Sequence, residues 1–207
     1  MKITKSTYQL NWHALSLPQI DQIMAQMPVS GMIDTLNWPS QYPSSPVTTF
    51  TLAHTCDTLY VRFEVQGEVP LATKTEDLEH VNEDACVEIF IANADNSRYW
   101  NFEFNAAGVC NASSRKSRKE DVVRLNAVQL QSIKRFPAQL CAAHWSLLIA
   151  IPLALIEFDG NYEHVRRANF YKCGDNLPTP HFISWNAIDW PEPSFHRPEF
   201  FGEIVFE

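Results

Sequence analysis

The chain has 207 residues, 45% of them apolar and 12% aromatic, with a formal net charge of −8 at pH 7. A chain of that length buries roughly 70% of the surface it exposes when unfolded, so its core needs no disulfide or metal. The acidic balance excludes binding to a nucleic-acid backbone, which requires a basic face, and no apolar run reaches the ~20 residues that span a bilayer.

Met1-Lys2-Ile3-Thr4-Lys5 leads into polar sequence without the apolar stretch of a secretory leader, which points to the cytoplasm. In residues 18–27, Ile20, Ile23, Met24 and Met27 recur at helical spacing, with Pro18 in the first turn and Pro28 and Gly31 beyond. This predicts one short helix inside an N-terminal extension of residues 1–30. From Trp38 to Pro46, prolines at 39, 43 and 46 forbid a strand ladder and predict a loop.

The period then becomes two. Leu59, Val61, Phe63 and Val65 alternate with Tyr60, Arg62, Glu64 and Gln66, the pattern of a half-buried strand. Residues 86–92 place Val87, Ile89 and Ile91 on one face and Cys86, Glu88 and Phe90 on the other. Residues 99–105 set Trp100, Phe102 and Phe104 against Tyr99, Asn101, Glu103 and Asn105. Residues 94–98, with Asp95-Asn96-Ser97, supply the turn of a hairpin. Gly108 marks a further turn before a strand at 109–113. Later strands are expected at 128–136, 145–151, 167–173 and 200–206, separated by Gly160, Gly174 and prolines. Many short strands and one helix indicate an all-β antiparallel sandwich, and without a repeat or long linker we expect a single domain over 1–207.

The basic run Arg115-Lys116-Ser117-Arg118-Lys119 is followed at once by Glu120 and Asp121, and reads as a solvated loop. Five scattered cysteines (56, 86, 110, 141, 173) form no CxxC pair, and the histidines at 13, 54, 80, 144, 164, 181 and 196 show no zinc-ligand spacing. Glu83-Asp84 lacks the loop that would gather six or more oxygens around calcium and reads as a solvated acidic turn. No nucleophile elbow or phosphate-binding glycine loop is present.

The informative feature is the polar face of the 86–105 hairpin. Pairing of its strands would gather Glu88, Glu103, Tyr99, Asn101 and Asn105, either as a plain solvent-facing surface or as side chains that bridge sugar hydroxyls. A glycosidase carboxyl pair is a third possibility for Glu88 and Glu103, since adjacent strands allow the required separation. The proline-fixed stretch at 190–198 adds Trp190, Phe195, His196 and Arg197, a ring for a sugar's C–H face and donors for its hydroxyls, with Phe195 alternatively closing the core beneath a surface loop.

Four pieces in order, Glu83-Asp84-Ala85-Cys86-Val87-Glu88-Ile89-Phe90-Ile91, Asn101-Phe102-Glu103-Phe104-Asn105, Arg167 through Asp175, and Phe195-His196-Arg197-Pro198-Glu199-Phe200-Phe201-Gly202, resemble the family 9 carbohydrate-binding modules. The resemblance implies a DOMON-like β-sandwich that clamps a terminal sugar between two rings while acidic and amide side chains hold its hydroxyls. By position, Glu88 matches an acidic sugar contact, Phe195 stands for one sandwiching tryptophan, and Glu103 lies near a contact that is arginine in the family. The second ring would precede the acidic turn, where this chain has Val81 and Asn82, so either another ring, Trp38 or Trp190, replaces it or the chain binds something else. Related modules carry calcium, for which no ligands are mapped here. The resemblance thus predicts a non-catalytic binder of a mono- or oligosaccharide end, with an interaction domain on the same fold as the alternative. Haem, held by Met and His in relatives of the sandwich, would have to use methionines confined to residues 1–32.

Overall fold

The computed structural model describes residues 1–3, 12–158, 160 and 165–206. His164 and most of the polar segment after Ile3 lie outside the described residues. In chain order the strands are β1 (Lys2–Ile3), β2 (Gly31–Met32), β3 (Thr35–Leu36), β4 (Val47–His54), β5 (Thr58–Gln66), β6 (Cys86–Ala92) and β7 (Tyr99–Asn105). They continue with β8 (Cys110–Arg115), β9 (Val123–Arg124), β10 (Lys134–Cys141), β11 (His144–Pro152), β12 (Val165–Cys173), β13 (Phe182–Ser184) and β14 (Gly202–Phe206). Two short helices are α1 (Leu17–Met24) and α2 (Ala127–Ser132). None of the described helices is long and apolar enough to cross a membrane.

The strands form two sheets. The larger has nine strands, ordered β1-β14-β12-β6-β7-β8-β9 with β13 and β3 branching from β12, and the smaller runs β10-β11-β5-β4-β2. All pairings are antiparallel except β1 with β14. The sheets meet through Val61, Phe63, Val87, Ile89, Phe102, Phe104, Leu147, Ile149 and Phe170, all fully buried. These are the inward members of the period-two segments, so the alternation in β5, β6, β7 and β11 sets which face is core.

The outer face of the smaller sheet is covered as well. Ile20 and Met24 of α1 pack on Ala53, Tyr60, Leu148 and Ala150, and Asp21 of α1 receives a 2.8 Å bond from the buried Arg62 guanidinium. The helix ends at Met24, three residues short of the predicted Met27; its start is fixed by the Gln19 side chain, which accepts the Ser16 backbone N–H at 2.9 Å.

The strand expected at 128–136 is a different structure. Asn126 Oδ1 accepts the Gln129 N–H at 3.0 Å and Gln129 Oε1 accepts the Asn126 N–H at 2.9 Å, a reciprocal cap that starts α2. The strand begins only at Lys134. The predicted 86–92 and 99–105 strands match β6 and β7, joined through a turn in which Asn96 takes φ 58° and Arg98 donates to Asn93.

Candidate functional site

On the outer face of β6, β7, β8 and β12, a second apolar cluster forms beneath the segments that cross it. Phe90, Tyr99, Tyr171, Phe195 and Phe201 pack together with Trp38 and Ile188. The face expected to be wet is therefore covered, and the polar residues it carries are held in a buried setting. Asn101 and Asn105 have no exposure, while Glu88 and Glu103 retain 4% and 7%.

Within this cover lies a cavity of about 320 Å³, whose floor is built from Glu88, Glu103, Asn111 and Cys173. Glu88 and Glu103 are direct partners across the β6–β7 ladder, so pleat and register point both carboxyls the same way. Asn101 and Asn111 donate to Glu103 Oε1 and Oε2 at 2.8 and 2.9 Å. Ser113 in turn donates to Asn101 Oδ1 at 2.7 Å, and an Arg115 N–H reaches the Ser113 hydroxyl. Glu88 Oε1 accepts the Cys173 thiol at 3.2 Å.

Burial dominates the electrostatics of this floor. It raises the Glu88 carboxyl well above the usual carboxylate range, reinforced by Cys173, Glu103 and Asp175. Burial also raises Glu103, against the opposing pull of Asn111, Arg115 and Asn101. Asp175 is raised for the same reason. Its Oδ2 accepts Asn82 Nδ2 at 2.8 Å, while its buried Oδ1 has no hydrogen-bond partner among the described residues. The floor thus combines carboxyls that burial shifts toward the protonated, donating form with amide and carboxyl oxygens able to accept, the pairing that vicinal hydroxyls require.

The walls are aromatic. Phe90, Phe182, Phe195 and His196 line the cavity. Phe195 is only 8% exposed and stacks on Tyr171 with centroids 4.2 Å apart and planes 8° from parallel. One ring face is therefore already occupied, and truncating Phe195 would disturb the packing as well as the cavity. Tyr99 and His196 Nδ1 share a 3.0 Å bond, which fixes the imidazole at the rim.

The sequence-predicted residues divide accordingly. Glu88, Glu103, Phe195 and His196 meet at the cavity; Trp190 and Arg197 do not line it. The Arg197 guanidinium instead lies 3.2 Å from the centroid of the Trp190 ring, which is 39% exposed, and the Trp190 carbonyl accepts Trp38 Nε1 at 2.7 Å. Trp38 is buried beside Phe195 and supplies no free face. The charge run expected to be a solvated loop places Arg115 and Arg118 on the cavity wall, and His80, Asn82 and Asp175 line it as well. Sequence periodicity pointed to none of these five.

Glu83-Asp84 is likewise no solvated turn. Asp84 is buried and accepts Thr73 N–H and O–H, Lys74 N–H and Asn105 Nδ2 at 2.7–3.0 Å. Its oxygens are committed to pinning the 73–74 segment to β7. Two other donor groups among the described residues, His13-Cys56-Asp57 and Cys86-Glu88-Cys173, include thiols and lack the oxygen-rich shell that calcium demands.

A second cavity, about 610 Å³, opens beside β4, β5 and residues 177–181. Lys172 and His181 lie 2.9 and 3.1 Å from Glu68 Oε2 at its wall.

Comparison with known proteins places these features in context. The sequence model of carbohydrate-binding family 9 matches residues 18–206. A candidate carbohydrate-binding protein from Bacteroides uniformis has 28% identity and a TM-score of 0.88, with 100% of this chain and 98% of that chain covered. A family 9 carbohydrate-binding module from Caldicellulosiruptor kristjanssonii in complex with glucose has 12% identity and a TM-score of 0.64, covering 100% and 95%. The cellotriose complex of a module from the same organism gives 12% and 0.66, covering 100% and 93%. No curated protein matches the sequence.

Proposed function

The chain belongs to carbohydrate-binding family 9, and from that premise we propose that it is a non-catalytic binder whose cavity over β6, β7 and β12 receives one sugar residue. The observation that carries this reading is the Glu88–Glu103 pair, side by side on a rigid ladder and fed by Asn101 and Asn111. A cavity of about 320 Å³ stands at the small end of small-molecule sites. Its polar floor and aromatic walls suit a pyranose with hydroxyls down and C–H edges against Phe90, Phe182 and Phe195. The glucose and cellotriose complexes of C. kristjanssonii modules support the class of ligand. A hydrolytic role is not favoured, because burial drives both carboxyls toward the protonated form and Glu103 is engaged on both oxygens, whereas glycoside cleavage needs one ionised carboxylate.

Calorimetric titration with glucose, cello-oligosaccharides and a wider saccharide panel tests the proposal. Saturable binding is expected with a Kd between about 1 μM and 1 mM. Glu88→Ala should weaken it about tenfold or more, since it removes the side chain that meets the sugar hydroxyls and a hydrogen bond there contributes about 0.5–1.5 kcal/mol. A flat response across the panel, or a Glu88→Ala variant that binds like the parent, overturns it.

The interaction-domain reading has one observation in its favour. Val47, Val69 and Leu71, 55%, 62% and 43% exposed, surround the mouth of the larger cavity.

A further inference from the structure

The segment from Arg115 to Asp121 carries four cations and two acids, and the fold sorts them unequally. Asp121 takes Lys116 at 2.8 Å and lies 3.8 Å from Arg98, and it does not line the cavity. Arg115 and Arg118 line the cavity, and neither forms an ion pair among the described residues. Arg115 donates through Nη1 to the Arg118 carbonyl at 3.0 Å and through Nη2 to Ser113, while its Nε is buried with no hydrogen-bond partner. Arg115 is thus half-buried with one N–H unused, beside Arg118 and in the field of Glu103 and Glu88, a donor set suited to an anionic group.

Resting on the carbohydrate reading, we propose that the cavity selects an acidic saccharide, a sugar bearing a carboxylate or sulfate, whose anionic group is held by Arg115 and Arg118. The guanidinium fork presents parallel N–H donors at the spacing of carboxylate or sulfate oxygens, so it recognises shape together with charge. The floor acids do not defeat this. Burial first, then Cys173, Glu103 and Asp175, raise Glu88 well above the usual carboxylate range, and burial raises Glu103 and Asp175, which lowers the negative charge of the floor, while arginine remains a cation throughout. A chain with a formal net charge of −8 therefore holds a cationic wall at one cavity, which is selective where general electrostatic attraction would not be.

The test compares methyl glucoside with methyl glucuronoside, methyl galacturonoside and a glucose sulfate ester by titration calorimetry at two ionic strengths. At least one acidic sugar should bind tenfold or more tightly than methyl glucoside, and that preference should shrink as salt rises. Arg118→Gln, at an exposed loop position where folding is not at risk, and Arg115→Gln should each reduce the acidic-to-neutral affinity ratio at least fivefold. Carboxylate-only or sulfate-only preference identifies which anion is taken, and either supports the proposal. Equal affinity for neutral and acidic sugars overturns it while leaving the carbohydrate reading intact. A preference that both arginine variants retain also overturns it. Failure of every sugar, neutral or acidic, sinks both readings together.

Discussion

His196 lies at the rim of the cavity between Tyr99, Phe90 and two guanidinium groups. Burial, with Arg115 and Arg118 adding like-charge repulsion, lowers its pKa to about 3. An unfolded histidine titrates near pH 6.5. Below that value the unfolded chain takes up a proton that the native imidazole refuses, so this stability is complete above about pH 6.5 and is lost as pH falls toward 3. The loss approaches 1.4 kcal/mol per pH unit from this one residue. Urea denaturation at pH 7.5, 6 and 5 should show a decline in the parent that His196→Gln removes. A parallel decline in both would assign the loss elsewhere. Glu88 has the opposite sign: its raised folded pKa makes the native state hold the extra proton, so stability falls as pH rises. Neither environment was readable from sequence. Glu88 and Glu103 could be placed on one face by counting in twos, but their burial depends on the segments around 38–42 and 182–201, which reach the same sheet from far away in the chain.

At the level of elements, β6 and β7 were legible because one face meets an aliphatic core and the other carries polar groups, so period two survives in the sequence. In β4 that signal fails, since Thr48, Thr51 and His54 are buried along with Phe50 and Leu52: α1 covers the outer face while the larger sheet covers the inner. Residues 128–136 misled for a different reason. Val128 and Leu130 suit a strand, but the cap at Asn126 and Gln129 decides in favour of a turn and a half of helix before the strand begins. Asn126→Ala should cost about 1 kcal/mol, measured as a lower thermal midpoint. Asn126→Ser, which can still accept the Gln129 N–H, should recover most of it. The basic run at 115–119 illustrates the limit of charge patterning: composition shows that acids follow, and only the fold shows that Asp121 pairs with Lys116 while Arg118 lines the cavity.

Across the whole molecule, β12 serves both cavities: Cys173 lines the smaller one, and Lys172 pairs with Glu68, which lines the larger. Its pleat sends Cys173 to the floor of the smaller one and the neighbouring Lys172 into the interior beside Glu68, His181 and the Trp145 ring. Burial by itself would raise Glu68, yet Lys172 with His181 holds its carboxyl below the ordinary value, which favours the carboxylate in the fold. Lys172→Met strands that carboxylate and should cost about 3 kcal/mol or more in guanidinium denaturation. Adding Glu68→Gln should restore much of the loss, because the penalty lies in the abandoned charge. The pairing of β1 with β14 acts at the same scale: Lys2 and Ile3 run beside Val205 and Phe206, and the Met1 ammonium donates to the Glu203 carbonyl at 2.7 Å. Met1 and Phe206, the outermost described residues, lie along one margin of the larger sheet. A short peptide bridge there, with the chain reopened at exposed Ala142 between β10 and β11, would yield a circular permutant in which every ladder keeps its neighbours.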